Sequence, residues 1–391
     1  MNSSLSQKSF RHSLFMLFFL FGTIACNDDR AGADEDNQNV FAVLSALPAN
    51  VIAPATNIQS DEKRDLGRLL FFDPILSGTK NVSCATCHHP NLAFADGIRL
   101  SIGVNGMGLG AERRNGVRIN RNAPTIINTA FNGIGQNANY NPDQAPMFWD
   151  SRAQSLEEQA LLPMLNREEM RGPNIPEDQI MDSLLMRLNN IAEYQDLFNQ
   201  AFGTSEINQS RLLAALSAYE RSIIANNSPF DQFMRGDESA LSEQEQEGMR
   251  DFVEVGCADC HGGPMLSDFE LHVLGVPDVN GLTDRGAGNF DFRTPSLRNI
   301  ALTGPYMHNG EMNSLREVLE FYNDISGNRA NNAINDNLNR NDLADEARRL
   351  DLNGGDIDEI IAFLGSLTDQ DFDRSIPSAV PSGLQVGGDI N

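Results

Sequence analysis

Two short stretches of this 391-residue chain carry the residue types best able to do chemistry: Cys84-Ala85-Thr86-Cys87-His88 and Cys257-Ala258-Asp259-Cys260-His261. Both read C-x-x-C-H. Two thiols three positions apart on one turn can each add to a haem vinyl group, and the next residue, a His, is then held under the iron as its proximal ligand. A zinc site made of two such Cys pairs would place them about 15–20 residues apart. Here 169 residues lie between Cys87 and Cys257, and each pair carries its own His. Of five cysteines only Cys26 lies outside the motifs, so a disulfide has no pair left to use. The spacing therefore predicts two covalently bound haems c, attached outside the cytoplasm.

The N-terminus agrees with export. Lys8 and Arg11 give a positive start to an apolar run from Leu14 to Phe21. That run is shorter than the roughly 20 residues that span a bilayer, so residues 1–25 read as a signal peptide. Thr23-Ile24-Ala25 ahead of Cys26 resembles a lipobox, with Cys26 as the lipid-bearing first residue; ordinary cleavage beside a spare Cys is the alternative. Residues 27–39 (NDDRAGADEDNQN) are acidic and lack large apolar side chains. Residues 26–59 are accordingly expected to be a lipidated Cys and a disordered tether. The expected location is the Gram-negative cell envelope, in the periplasm, with membrane contact only through a lipid anchor.

The chain has 29 basic and 54 acidic residues, a net charge of −25. Nucleic acid is excluded as a partner, because binding it needs a basic surface. The length suits two domains. Helix signals dominate: Ser155–Glu158 and Ser242–Glu245 are capping boxes, and Ile357, Ile360, Ile361 and Leu364 form an apolar stripe after Asp356. Further helical runs are 61–71, 177–188, 192–202 closed by Gly203, 207–224 and 315–322. Each C-x-x-C-H follows an amphipathic helix, Asp61 to Phe71 and Glu243 to Glu254. The predicted architecture is all-α with two cytochrome c-like haem domains, residues 60–238 and 239–372, divided near Arg235 to Leu241. Residues 326–346 read as an Asn-rich surface loop, and 373–391 as a loose Pro/Gly/Ser-rich tail.

Longer stretches carry a resemblance. LGRLLFFDPILSGTKNVSCATCHHP, RNAPTIINTAFN, MFWDSRAQSLEEQALLPMLNREEM and TPSLRNIALTGPYMHNGEMNSLREVLEFYN are similar to the bacterial di-haem cytochrome c peroxidase/MauG family, in order, over about residues 60–370. The resemblance implies a peroxidase that uses hydrogen peroxide at the N-terminal haem. It matches Trp149, the only Trp, to a residue between the haems, where plain core packing is the alternative. Gln159 and Glu169, ten and twenty positions later, match distal polar residues, with Glu169 as the acid/base that moves the peroxide proton. Asn122, with the backbone carbonyls of Thr303 and Pro305, matches an interhaem calcium site; a turn built by Pro and Gly is the alternative.

Two departures narrow the expectation. Resting family peroxidases block the distal side of the first haem with a loop His. In SIGVNG that place is held by Val104, and His89 sits beside the proximal ligand, so an open iron at His88 is expected. The electron-transfer peroxidases ligate the C-terminal haem with a Met nineteen residues after the Thr of LTxPY; counted from Thr303, that position is Tyr322. Met307 and Met312 are the alternatives. A Met raises haem potential, whereas Tyr is a hard anionic donor. Three functions are thus in play: oxidation of a secreted protein substrate through Trp149 and the His261/Tyr322 haem, peroxide scavenging with electrons from a small redox protein, and non-enzymatic electron carriage.

Overall fold

The computed structural model of the chain describes residues 41–279, 281–327 and 334–390. The signal-peptide and Cys26 readings lie outside the described residues. Helices begin where the sequence supplies caps. Helix α1 (Asp61–Phe72) starts on Ser60, whose hydroxyl accepts the Lys63 N–H, and it buries Leu66, Leu70, Phe71 and Phe72. The one-turn α2 (Cys84–Cys87) carries the first motif. Then come α3 (Leu156–Leu165), capped by Ser155, and α4 (Glu177–Asn189). Helix α5 (Ala192–Phe202) ends at Gly203, which takes the left-handed conformation that glycine adopts without strain. Helices α6 (Gln209–Glu220) and α7 (Pro229–Met234) close the N-terminal half.

In the C-terminal half, Ser242 and Glu245 cap α8 (Glu243–Glu254) reciprocally. A single tight turn, Cys257–Asp259, opens the second motif. Strands β1 (Leu271–Val273) and β2 (Asp291–Arg293) pair antiparallel, with His272 opposite Phe292. Helices α9 (Leu315–Ser326), α10 (Asp345–Arg349) and α11 (Asp356–Ser366) follow. The chain is thus predominantly helical, with a two-stranded ribbon that an all-α reading does not contain.

The two halves use one construction. Helix α1 crosses α6, and α8 crosses α11, each at a glycine. A Cβ on Gly67 would lie 1.9 Å from the Ala215 carbonyl oxygen, and one on Gly248 would lie 1.8 Å from that of Glu359. Neither crossing leaves room for a side chain, so the helices meet backbone to backbone. One apolar core gathers around α1, α4 and α6, the other around α8 and α11.

Three segments expected to be irregular are built into the structure. Leu44 and Leu47 are buried, the Leu47 N–H donates to Asp231 Oδ1 at 3.0 Å, and Asn57 is buried beside Glu157. The tether expectation is therefore corrected for residues 41–59. The tail is likewise not loose: Val380 is buried, Ser382 donates to Asp73 Oδ1, Gly387 N–H donates to Phe72 O, and Thr86 donates to Gly387 O. In the Asn-rich region Asn335 is buried and donates to Asp278 Oδ1. In all three the ordering comes from backbone groups and short polar side chains finding distant partners, which leaves no apolar period to read.

Candidate active site

His88 and His261 mark the two ends of the site. Each ring is fixed in the same way: His88 Nδ1–H donates to Phe94 O at 3.0 Å, and His261 Nδ1–H donates to Leu266 O at 2.9 Å. This leaves each Nε2 free to ligate iron. Burial holds both imidazoles below the usual histidine range, hence neutral and competent as ligands. Both histidines and all four motif cysteines, which are free thiols, border one continuous cavity. Much of its wall is apolar, including Phe71, Ile126, Met147, Leu156 and Leu319. Burial pushes the Cys84, Cys87 and Cys257 thiols up, away from the thiolate a metal ion would need. Paired thiols on one turn, an oriented imidazole and a greasy chamber suit two covalent haems. Cys260 also lies close to Asp268 and His272. With its sulfur in a thioether, what remains of that cluster is the Asp268–His272 pair at 2.9 Å.

On the side of the first motif, Glu169 sits in a π-turn, Arg167–Arg171, just after α3. Such insertions in a helical path occur frequently at functional sites. Asn166 builds it: its Oδ1 accepts the Glu168 N–H at 2.8 Å, and its Nδ2 donates to Glu169 Oε1 at 2.8 Å. Gly103 presses the turn from outside; a Cβ there would meet the Glu168 carbonyl oxygen at 1.9 Å. Burial raises the Glu169 carboxyl above the usual carboxylate range, only partly opposed by Arg152 and Arg121. Gln159, on α3, borders the same cavity, and its Oε1 is buried without a hydrogen-bond partner. Val104 is buried and its N–H is tied to Glu168 O, so it faces the π-turn backbone. His89 is buried and accepts the Asn91 N–H.

Trp149 borders the same cavity. Its Nε1–H donates to Asn122 O at 3.0 Å, and its own carbonyl accepts the Arg293 N–H at 2.7 Å. Asn122 is buried; its N–H donates to His308 O at 2.7 Å and its Nδ2 to Ile98 O at 2.8 Å. Its Oδ1 is left for another partner, and Asn122, Thr303 and Pro305 all border the cavity. Arg121 bridges Asp150 and Asp284 at 2.7 and 2.6 Å.

On the side of the second motif, Tyr322 of α9 borders the cavity while packing against both C-terminal clusters. Among the described residues nothing hydrogen-bonds its hydroxyl, and burial keeps it protonated in the absence of a metal. Met307 also borders the cavity, whereas Met312 is buried against Phe321 in a satellite cluster.

The structure adds residues that sequence reasoning missed. Arg293 and His308 border the cavity and are buried, with His308 stacked on Phe292 at a ring separation of 3.7 Å. Glu220, at the end of α6, borders it too, and its Oε2 has no hydrogen-bond partner. A charged residue within the apolar run of α6 was a signal available in the sequence for Glu220.

Comparison with known proteins places this arrangement. Residues 61–239 match the family described as di-haem cytochrome c peroxidase. The methylamine utilization protein MauG of Methylophilus methylotrophus is 32% identical over 331 residues, covering 82% of this chain and 86% of the relative. Cytochrome c551 peroxidase of Pseudomonas aeruginosa is also 32% identical, over 305 residues, covering 74% of this chain and 80% of that protein. The crystal structure of a MauG-like protein associated with microbial copper homeostasis superposes with a TM-score of 0.66 at 29% identity, covering 83% of this chain and 95% of that one. Relatives bearing both names match equally well, and the chain belongs to the di-haem cytochrome c peroxidase family, an oxidoreductase that takes hydrogen peroxide and works with two c-type haems.

Proposed function

We propose that the chain oxidises a secreted protein substrate with hydrogen peroxide, in the manner the name MauG denotes. The observation that carries this reading is Tyr322: it borders the cavity on the side of the second motif, and among the described residues nothing hydrogen-bonds its hydroxyl, whereas Met312 is buried and does not line the cavity. Cys84 and Cys87, with His88, would hold one haem; Cys257 and Cys260, with His261, would hold the other. The haems, when bound, supply the irons that accept peroxide and store its oxidising equivalents. The residues do the rest. Glu169, its carboxyl raised above the usual carboxylate range by burial, exchanges a proton with peroxide at its carboxyl oxygen. Gln159, which borders the same cavity and whose Oε1 has no partner among the described residues, orients the substrate. Trp149, pinned by Asn122 and Arg293, lies on the path between the two motifs. Tyr322 would offer its phenol oxygen to the second haem iron, a hard anionic donor that favours the oxidised state. Asn122 Oδ1 with the carbonyls of Thr303 and Pro305 offers an oxygen-only set that suits one calcium ion. Cys26 anchors the exported chain to a membrane through lipid, leaving the catalytic unit in the periplasm. Among the described residues no helix is long and apolar enough to cross a membrane.

A scavenging peroxidase fed by a small redox protein is the second reading, and Met307 at the cavity wall favours it. A redox titration of the loaded protein separates the two. Protein oxidation predicts a low-potential C-terminal haem that gains a His/Met spectrum and a higher potential in Tyr322→Met. A wild-type C-terminal haem that already titrates as a high-potential His/Met centre replaces this reading with scavenging. Two six-coordinate irons, neither open to peroxide, would instead mark an electron carrier.

A further inference from the structure

The cavity is bordered by four arginines, and three of them have carboxylate partners. Arg121 holds Asp150 and Asp284, Arg152 holds Asp150, and Arg298 holds Asp231. Arg293 differs. Only 8% of it is exposed, and among the described residues no carboxylate pairs with it. Its Nε donates to Phe148 O at 2.8 Å and its Nη1 makes a long contact, 3.4 Å, with Thr294 O. Its Nη2 has no hydrogen-bond partner among the described residues.

Carbonyl binding alone does not account for this. Arg113 is also buried without a close carboxylate, but carbonyl oxygens take its Nε, Nη1 and Nη2: those of Ile102, Gly108 and Gly103. Arg187 likewise spends both of its Nη groups on carbonyls of residues 75–78. A guanidinium that stays charged while nine-tenths buried is costly unless an anion faces it. Arg293 borders a chamber that, on the family reading above, receives two haems, each with two carboxylate arms.

We propose that Arg293 is a haem-carboxylate site: its free Nη2 pairs with a propionate of one haem, while its Nε holds Phe148 O and so fixes the backbone that presents Trp149. The placement supports both duties. Arg293 ends β2, its N–H donates to Trp149 O at 2.7 Å, and its ring-stacking neighbours Phe292 and His308 line the same wall. One residue would thereby link the charge on a haem edge to the position of the indole between the haems.

The test compares Arg293→Gln and Arg293→Lys in haem-loaded protein by redox titration of each haem. The propionate bending bands in resonance Raman spectra are read alongside. Removing a positive charge beside a haem stabilises its oxidised form. The Gln variant should therefore lower the potential of one haem, leave the other near wild type and move one propionate band. The Lys variant, which restores charge but not the fork, should recover most of the potential. Equal potentials in wild type and Gln variant with both haems retained would overturn the proposal. So would equal shifts in Lys and Gln variants, since that outcome belongs to the lost Phe148 bond alone. If the Gln variant fails to load haem, the Lys variant decides: a propionate band that does not move, although the fork is lost, would also overturn it. A haem count of two with unaltered potentials fails this proposal without touching the family assignment, whereas covalent loading of fewer than two haems in wild type would fail the underlying reading.

Discussion

The two haem halves share a scaffold and differ in what faces the histidine. Each has a helix crossing locked by a glycine, a C-x-x-C-H turn, and an imidazole whose Nδ1–H is spent on a carbonyl five or six residues on. Opposite these shared parts, the N-terminal half supplies Glu169 and Gln159, one held up in pKa and one with a free oxygen. The C-terminal half supplies Tyr322 amid Leu315, Val318 and Leu319. The difference teaches that attachment and reactivity are separable. Local spacing can specify a haem twice over, and residues from distant elements then give the two sites different surroundings.

The comparison is broken most completely at the attachment turns. Cys84→Ala and Cys257→Ala should each lose one covalent haem and keep the other, counted after acid-acetone extraction. Retention of both in either variant removes the symmetry on which the comparison rests. A smaller effect falls on one half only. Glu169→Gln should keep both haem spectra and slow the reaction with peroxide by about 10²–10⁴-fold, the usual reach of one general acid/base; stopped-flow rates equal to wild type would reassign the proton transfer.

How much of this was legible in the sequence follows the same division. The haem turns, α1, α8 and the Ser242–Glu245 capping box are local patterns, and they stand where spacing puts them; at Ser155 only half of the box forms, since Glu158 accepts from Gln154 N–H instead. Tyr322 was reached by counting from Thr303, because a helix start and its offset survive in the chain's order. Arg293 was not reachable in that way: its lack of a carboxylate is a fact about which acids lie nearby in space. The ribbon that carries it is only three residues per strand, too short for an alternating pattern to show. The tail failed for a related cause, since Ser382 and Gly387 find their partners some three hundred positions away.

A subtler asymmetry can be sharpened through Glu220, which borders the cavity on the Cys84 side and has no counterpart noted on the other. Its neighbour Arg221 is committed to Glu157 at 2.9 Å, so burial dominates and raises the Glu220 carboxyl to about 8. The folded state therefore holds a proton that the unfolded chain releases above its ordinary carboxylate range. Stability should be fully present below about pH 4.5 and fall as pH rises toward 8. Glu220→Gln should melt like wild type near the acid end of this window and higher than wild type at its alkaline end. Parallel melting curves across the window would show that the cofactor or a solvent path relieves the burial.

The smallest expected effect is at the surface of the N-terminal half. Ser382→Ala removes one buried hydrogen bond to Asp73 and should lower stability by about 1 kcal/mol, read as a modest drop in melting temperature with both haems kept.

The tail has a consequence for biogenesis. Thr86, inside the first C-x-x-C-H, donates to the carbonyl of Gly387, 301 positions later. The first motif to leave the ribosome and cross the membrane is thus among the last to be closed. Until the final residues arrive, the Cys84–Cys87 turn lacks its C-terminal strap, while the second motif, bounded by α8 and α11, is already enclosed by its own neighbours. An attachment machinery that acts on open chain is therefore given its longest working interval at the first motif.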